Sequence, residues 1–206
     1  MSTLVLVRHG QARPFEKHSD QLSETGKQQS VLLGEYWRQR GIKFDEVYCG
    51  SMQRHIQTAE LAQIGPFESL PAFNEYDADG ILRASPSYKP TQDRREFQLM
   101  FEAIMREWIA GMLPGVESWQ EFRQRVTAGL RGILRADKPS RRVVVFTSGG
   151  PIGIAVQTAL QAPEAMAIEI NWRVRNCSLT EFLFTRERVS LDVFNATPHL
   201  EEVTFR

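Results

Sequence analysis

The stretch VVVFTSGGPIG, residues 143–153, carries the strongest structural signal in the chain. Its four leading apolar residues are typical of a strand that is buried on both faces of a parallel sheet. Ser148 and two glycines follow, and Pro151 then stands where the first turn of a helix accepts proline. A buried strand that passes through such a turn into a helix usually presents a site at its carboxyl end.

The same strand–helix alternation occurs at the beginning of the chain. An apolar run at 3–8 predicts a first strand, and residues 22–41 predict a helix in which Thr25 and Gln28 form a capping box. A second strand is predicted at 45–51, with a second helix directly after it. This alternation predicts an α/β fold, a three-layer α/β/α sandwich with a mostly parallel sheet.

The middle of the chain departs from this alternation. A short extended element is expected at 67–75, and residues 76–116 then combine a polar, turn-rich half with a long amphipathic helix. We interpret 76–116 as an insertion at the sheet edge. A further helix at 117–134 and a β-hairpin at 178–194 complete a single predicted domain of residues 1–206.

Composition limits the classes of function. The 206 residues include 25 Lys and Arg against 25 Asp and Glu, so no overall charge favours nucleic acid or an acidic membrane. The amino terminus does not resemble a signal peptide, and no apolar run approaches the roughly 20 residues of a membrane span. Cys49 and Cys177 lie far apart in the sequence, which predicts reduced thiols in a cytoplasmic protein and no metal site.

Polar residues follow three of the predicted strands. Because ligands bind beyond the carboxyl ends of parallel strands, residues 8–10, 50–51 and 148–150 are expected to share one site. His9 could be functional there, or it could cap or pack the strand end. The neighbouring Arg8 favours function, since a guanidinium can bind phosphate through two hydrogen bonds.

The second helix adds another cation to this predicted site. Arg54 lies one turn inside the helix, so its guanidinium and the first backbone N–H groups could converge on one anion near Ser51. The competing interpretation is a solvated helix arginine that binds nothing.

Five segments together resemble the histidine phosphatase superfamily, which includes the cofactor-dependent phosphoglycerate mutases. The RHG tripeptide alone is a weak signal, but its occurrence with S-x-x-R-x-x-Q-T-A-E at this distance is specific, and the resemblance covers nearly the whole chain. The segments are VRHG at 7–10, LSETGKQQS at 22–30, SMQRHIQTAE at 51–60, NE at 74–75 and VVVFTSGG at 143–150.

The resemblance implies a two-step phosphoryl transfer without metal or cofactor. By resemblance, His9 attacks phosphorus to form a phosphohistidine that water hydrolyses. Arg8 and Arg54 would hold the phosphoryl oxygens, and Glu75 would give a proton to the leaving oxygen.

Further site residues are expected on weaker grounds. Gln11, Arg13 and Gly149 are predicted to complete the phosphate site, although a loop salt bridge is an equal alternative for Arg13. The cations Arg83 and Lys89 of the insertion could select the substrate. His199 matches a carboxyl-terminal pattern of the family and is interpreted as mainly structural, with a possible part in substrate selection. Two histidines are expected to be non-catalytic, His18 in a polar loop and His55, which should point about 100° away from Arg54.

Ser148 departs from the family pattern. Members of the family usually carry a second histidine at this position, a cationic donor to the transferring phosphoryl group. A serine hydroxyl donates a shorter-reaching, uncharged hydrogen bond, so we expect a slow phosphatase with a loss of about 2–4 kcal/mol in transition-state stabilisation. His199 or Arg83 could instead supply the missing cation. A tenfold or larger rise in kcat in Ser148→His would support the deficit, whereas an unchanged or lower kcat would mean that the site is built around serine. The alternative is a non-catalytic protein that binds a phosphorylated ligand or a protein partner.

Two other classes have less support. Ser148, Asp192 and His199 follow the order of an α/β-hydrolase triad, but Phe146 occupies the position where the nucleophile motif needs glycine. The GGPIG segment lacks the Lys-Ser/Thr of a nucleotide-binding loop. The predicted substrate is a small phosphorylated molecule, with hydrolysis favoured over mutase activity and a homodimer as one option for assembly.

Overall fold

The computed structural model describes residues 1–13, 20–135 and 140–205, so His18 lies outside the described residues. The chain falls into two compact units. The first combines Met1–Glu75 with Thr127–Arg206 and contains the sheet, and the second is Tyr76–Val126.

The first unit is built on a six-stranded sheet in the order β3-β2-β4-β1-β5-β6. Of the five neighbouring strand pairs in the described ranges, β3–β2, β2–β4 and β4–β1 are parallel, and β1–β5 and β5–β6 are antiparallel. The mostly parallel sheet and the hairpin at its edge confirm the predicted fold class. The strands are β1 Ser2–Arg8, β2 Glu46–Cys49, β3 Glu68–Ser69, β4 Arg142–Thr147, β5 Leu179–Phe184 and β6 Val189–Ala196.

Helices cover both faces of this sheet. In β1 the side chains alternate: Val5 and Val7 pack with Leu33 and Trp37 of the first helix, while Leu4 faces a cavity lined by α5 and α6. This alternation gives the three layers that the sequence predicts. The helices are α1 Glu24–Gln39, α2 Gln53–Ala62, α3 Ala78–Ala84, α4 Arg94–Ile109, α5 Trp119–Leu134, α6 Gly149–Leu160 and α7 Met166–Asn171.

The second unit has its own aromatic cluster. Trp108 of α4 packs against Tyr76, Trp119 and Phe122, with ring centroids 4.9–5.8 Å apart. Its indole Nε1 donates a 2.7 Å hydrogen bond to the carbonyl of Glu117, so the polar edge of the buried ring is satisfied.

One local prediction was wrong, and two short helices were not predicted. The N-cap of α1 is Ser23, whose hydroxyl accepts from the Gly26 N–H, rather than the predicted box of Thr25 and Gln28. Residues 67–75 contain the predicted short extended element, the two-residue β3, and then a 3₁₀ turn, whereas the sequence does not predict the helices α3 and α7. Each of these elements is short, so its hydrophobic periodicity is too brief to read from the sequence.

The strand register brings the polar strand ends together. Arg8 of β1 pairs with Thr147 of β4, so the next residues, His9 and Ser148, leave adjacent parallel strands side by side. Gly50 follows β2 on the other side of β4, and its N–H donates to the Phe146 carbonyl. None of the described helices is long and apolar enough to cross a membrane.

Candidate active site

The loop after β1 is held against α1 and α2 by its backbone. The Gly10 N–H donates to Thr58 Oγ1 at 3.1 Å, and the Gln11 N–H donates to Gln29 Oε1 at 3.0 Å. A Cβ at Gly10 would lie 2.3 Å from the Gly26 carbonyl oxygen. Glycine follows His9 in the VRHG segment because the loop touches the backbone of α1 there.

A hydrogen-bonded ring closes around this loop, and we call it the supporting ring. The Asn176 amide donates to the His9 carbonyl at 3.3 Å and accepts from Thr204 Oγ1 at 2.9 Å. Thr204 Oγ1 accepts in turn from Gln29 Nε2 at 2.9 Å, and Gln29 Oε1 accepts from the Gln11 N–H. The supporting ring thus fixes the backbone on both sides of Gly10.

The His9 imidazole is buried and has a defined tautomer. Nδ1 lies 2.7 Å from the Gly10 carbonyl oxygen. Because a carbonyl only accepts, Nδ1 carries the proton and Nε2 keeps its lone pair. Burial lowers the His9 pKa well below its usual value, and the charges of Arg54 and Arg8 and the neighbouring His55 lower it further. His9 is therefore a neutral imidazole with Nε2 available as a nucleophile.

Arg8 and Arg54 both stand close enough to act on the His9 charge, as the sequence predicts for a phosphate site. Arg8 Nη1 donates to the Val174 carbonyl, which orients its guanidinium. Arg54 Nη1 forms an ion pair with Asp20 Oδ1 at 2.7 Å, and only 14% of its side chain is exposed.

The N-terminus of α2 was expected to bind an anion together with Arg54, but a carboxylate of the chain itself is bound there. The Gln53 N–H donates to Asp20 Oδ2 at 2.9 Å, and the Ser51 N–H donates to Asn74 Oδ1 at 2.7 Å. A carboxylate of the chain thus already binds the helix N–H group and the guanidinium that were predicted to converge on one anion. Any phosphate at Arg54 has to share or displace this partner.

The Q-T-A segment of α2 serves the site structurally. Gln57 Oε1 accepts from the Leu22 N–H at 2.9 Å, Thr58 accepts from Gly10, and Ala59 is buried in the core beneath them. These contacts explain the spacing of the segment after Arg54: the turn that presents the cation also anchors the His9 loop.

The Glu75 carboxylate lies at the start of α6. Its Oε2 accepts from the Gly150 N–H at 3.0 Å, two residues after Ser148. The predicted proton donor and Ser148 therefore border the same turn.

Ser148 contacts His55, which was expected from the sequence to be non-catalytic. His55 Nε2 lies 2.7 Å from Ser148 Oγ, and the His55 and His9 ring centroids are 5.6 Å apart. His55 is 0% exposed and Ser148 1%. The His55 side chain therefore lies inside the protein. The available signal was the helical stripe that His55 shares with Ala59 and Ala62, four and seven residues further along.

Gly50 provides the space for this imidazole. A Cβ at position 50 would lie 2.2 Å from His55 Nδ1. Within the described ranges that nitrogen has no hydrogen-bond partner. Burial, with a smaller effect of Arg54, lowers the His55 pKa well below its usual value, so the ring is neutral.

The three weaker phosphate-site candidates have other described contacts. Gln11 Oε1 accepts from the Ser23 hydroxyl at 2.9 Å. Arg13 donates to the Leu22 carbonyl at 3.3 Å and lies 4.0 Å from Glu24, as in the salt-bridge alternative. A Cβ at Gly149 would lie 2.0 Å from an oxygen of the Asn171 side chain, so glycine there permits close packing of α7.

The remaining candidates lie elsewhere in the chain. The His199 ring packs 5.8 Å from Tyr36 of α1, and burial lowers its pKa to about 4. No described contact joins it to His9 or Ser148, which agrees with a structural role. Arg83 lies in the last turn of α3 and Lys89 follows that helix, and both side chains are exposed on the second unit. Their part in selecting a substrate stays a prediction.

The serine-hydrolase alternative finds no support in the geometry. Ser148 bonds to His55, whereas His199 packs against Tyr36. Asp192 lies near Glu181 of β5, whose pKa is raised by burial and, to a smaller extent, by the charge of Asp192. The three residues of the supposed triad do not meet. Both cysteines are buried and free, as predicted, and burial raises the pKa of Cys49 to about 11 and that of Cys177 to about 12.

Known proteins match this chain over most of its length. The family model described as histidine phosphatase superfamily (branch 1) matches residues 4–197. Relatives from Salmonella typhi and Salmonella choleraesuis, both named "Probable phosphoglycerate mutase GpmB", are 30% identical over 188 and 191 residues. Each alignment covers 87% of this chain and 84% of the relative.

Solved structures agree with the fold. A mycobacterial glucosyl-3-phosphoglycerate phosphatase in complex with inorganic phosphate has a TM-score of 0.71 at 22% identity, covering 97% of this chain and 99% of that one. Phosphoserine phosphatase from Entamoeba histolytica, in complex with 3-phosphoglyceric acid, has a TM-score of 0.70 at 18% identity, covering 97% and 99%.

Proposed function

Since the chain belongs to the histidine phosphatase superfamily, a group of phosphatase- and mutase-type enzymes, we propose that it hydrolyses phosphomonoesters through a phosphohistidine on His9. The observation that carries this proposal is the 2.7 Å hydrogen bond from His9 Nδ1 to the Gly10 carbonyl. It leaves Nε2 unprotonated in a buried site beside two guanidinium groups, which is the state that a nucleophilic imidazole needs.

The proposed reaction has two displacements. In the first, Nε2 of His9 bonds to phosphorus, the P–O ester bond breaks, and the leaving oxygen takes a proton from the Glu75 carboxyl group. In the second, water attacks phosphorus while Glu75 takes a proton from that water, and the electrons of the P–N bond return to Nε2. Inorganic phosphate leaves, and both residues regain their first state. Arg8 and Arg54 stabilise the phosphoryl oxygens in both steps.

The substrate class is a small phosphomonoester. The names of similar proteins, which include a phosphoglycerate mutase and phosphatases of phosphoserine and glucosyl-3-phosphoglycerate, favour phosphorylated organic acids or their derivatives. Hydrolysis is favoured over mutase activity, since a mutase has to protect its phosphohistidine from water.

The proposal predicts a trapped adduct. Rapid quenching without acid, after mixing with ³²P-labelled substrate, should leave label that is acid-labile and base-stable, and peptide mapping should place it on His9. Removing the nucleophile in His9→Ala should leave no adduct and no turnover. Label on a serine, or turnover that persists in His9→Ala, would contradict the mechanism.

Glu75→Gln should affect substrates according to their leaving group. An alkyl phosphate needs a proton on its leaving oxygen, so we expect kcat/KM, which reports the first displacement, to fall about 10²-fold or more, whereas kcat/KM for p-nitrophenyl phosphate should fall less than tenfold. Steady-state kinetics on both substrates measures the ratio. Equal losses would give Glu75 a positioning role at the start of α6 instead of the acid role.

A further inference from the structure

The buried pair of His55 and Ser148 has no part in the reaction as proposed so far. Both side chains are almost fully buried, they are 2.7 Å apart, and the pair borders His9. The resemblance places the family's second histidine at position 148, and here an imidazole from α2 contacts the serine at that position.

We propose, on the basis of the proposed function, that His55 is a positioning residue that holds the Ser148 hydroxyl as a hydrogen-bond donor to the transferring phosphoryl group. The His55–Ser148 pair then performs the task that one histidine performs in relatives. Ser148 makes the contact with the phosphoryl group, and His55 determines the direction of the hydroxyl proton.

The donor and acceptor in the hydrogen bond between His55 and Ser148 follow from which ring nitrogen of His55 carries the proton. If Ser148 donated to Nε2, the proton of His55 would be on Nδ1, buried against Gly50 without an acceptor among the described residues. A buried N–H without an acceptor is costly and rare in folded proteins. With the proton on Nε2, His55 instead donates to Ser148 Oγ. The hydroxyl proton of Ser148 is then left for another acceptor.

A phosphoryl group on His9 supplies that acceptor. Ser148 and His9 follow neighbouring parallel strands that are in register, and the rings of His9 and His55 are 5.6 Å apart. A serine hydroxyl oriented in this way becomes a stronger donor, since hydrogen bonds in a chain polarise one another. The pair thus offsets part of the loss that a lone serine would cause.

The same geometry changes the expectation for Ser148→His. A second imidazole at position 148 has no space, because Ser148 is 1% exposed and His55 lies at bonding distance. The single variant should therefore be slower than the parent. The double variant Ser148→His/His55→Ala moves the imidazole from α2 to the strand end, and its kcat should exceed that of Ser148→His by tenfold or more.

A double-mutant cycle on p-nitrophenyl phosphate tests the proposal. Ser148→Ala and His55→Phe should each lower kcat about 10- to 100-fold with little change in KM. The reason is that the hydrogen bond from the Ser148 hydroxyl to the phosphoryl group strengthens in the transition state. Their double variant should lose no more than Ser148→Ala alone, since His55 acts through the hydroxyl. His55→Gln keeps an N–H donor and should recover most of the activity, and thermal unfolding monitors the fold of each variant.

Several outcomes would overturn the proposal. A parental kcat in His55→Phe would make His55 a packing residue, and losses that add in the double variant would show that it does not act through Ser148. If the His55 variants do not fold, Gly50→Ala displaces the unaltered imidazole, and a folded Gly50→Ala protein with parental kcat overturns it as well. Absence of a phosphohistidine on His9 would instead remove the proposed function, so the two failures are distinguishable.

Discussion

Arg54→Ala should lower kcat/KM for p-nitrophenyl phosphate by about 10³-fold, comparable to the loss of an arginine that stabilises phosphoryl transfer elsewhere. Two effects combine. The substitution removes a nearly buried guanidinium next to the nucleophile, and it leaves the Asp20 carboxylate unpaired at the start of α2, where it repels a phosphate dianion. Steady-state kinetics and the inhibition constant of vanadate measure both effects.

Asp20→Asn is the matched control. The asparagine carbonyl can still accept from the Gln53 N–H, but the negative charge that competes for Arg54 is gone. We expect KM and the vanadate inhibition constant to fall a few-fold, and Arg54→Ala/Asp20→Asn should recover part of the loss in Arg54→Ala. Unchanged vanadate affinity in Arg54→Ala would show that the guanidinium serves only its ion pair.

Acid should destabilise this protein strongly through its buried histidines. Burial is the largest cause that lowers the pKa of His9, His55 and His199 in the folded state. In the unfolded chain each titrates near 6.5, so below that pH the unfolded state binds protons that the folded state does not. Stability from these groups is therefore complete above pH 6.5 and falls as pH decreases. Each neutral histidine costs about 1.4 kcal/mol per pH unit, or about 4 kcal/mol per unit for all three.

Urea unfolding between pH 8 and pH 4.5 measures this slope, and His199→Phe isolates one contribution. The folded pKa of His199 is about 4, so at pH 5 the substitution should increase the unfolding free energy by about 2 kcal/mol more than at pH 7.5. The phenylalanine also removes two buried ring nitrogens that have no partner in the described ranges. If His199→Phe changed the unfolding free energy equally at the two pH values, the His199 pKa would not be lowered by folding, and the ring would be protonated in the folded protein at pH 5.

The sequence predicts those parts of the fold and site that depend on long patterns. The apolar run before Ser148, the run before His9 and the amphipathic α1 and α4 are long enough to identify their elements, and strand ends predict which residues meet. This reasoning correctly brought Arg8, His9 and Ser148 to one edge of the sheet. The superfamily was indicated separately, by the resemblance of the VRHG and SMQRHIQTAE segments to its motifs, and the family model and the relatives confirm it.

The contact between His55 and Ser148 does not follow from the sequence, because helix geometry gives the direction of His55 only relative to Arg54. A helix places neighbouring residues about 100° apart, which says that the two side chains diverge but not which one enters the protein. That depends on the packing of α2 against the sheet and on the missing side chain at Gly50, neither of which a sequence pattern shows. The contact of Asp20 with the start of α2 could not be predicted either, since a contact between a loop residue and a distant helix start leaves no periodic signal.

The supporting ring has a consequence for how the protein is made and altered. Thr204 comes almost the whole chain after His9, yet it completes the set of bonds that holds the backbone of His9, the proposed nucleophile. Truncating the chain before Thr204, or adding a fusion partner that displaces Thr204, would alter the loop after β1 although no residue of that loop is changed. Expression designs for this protein should therefore keep Thr204 in place, since the supporting ring depends on it.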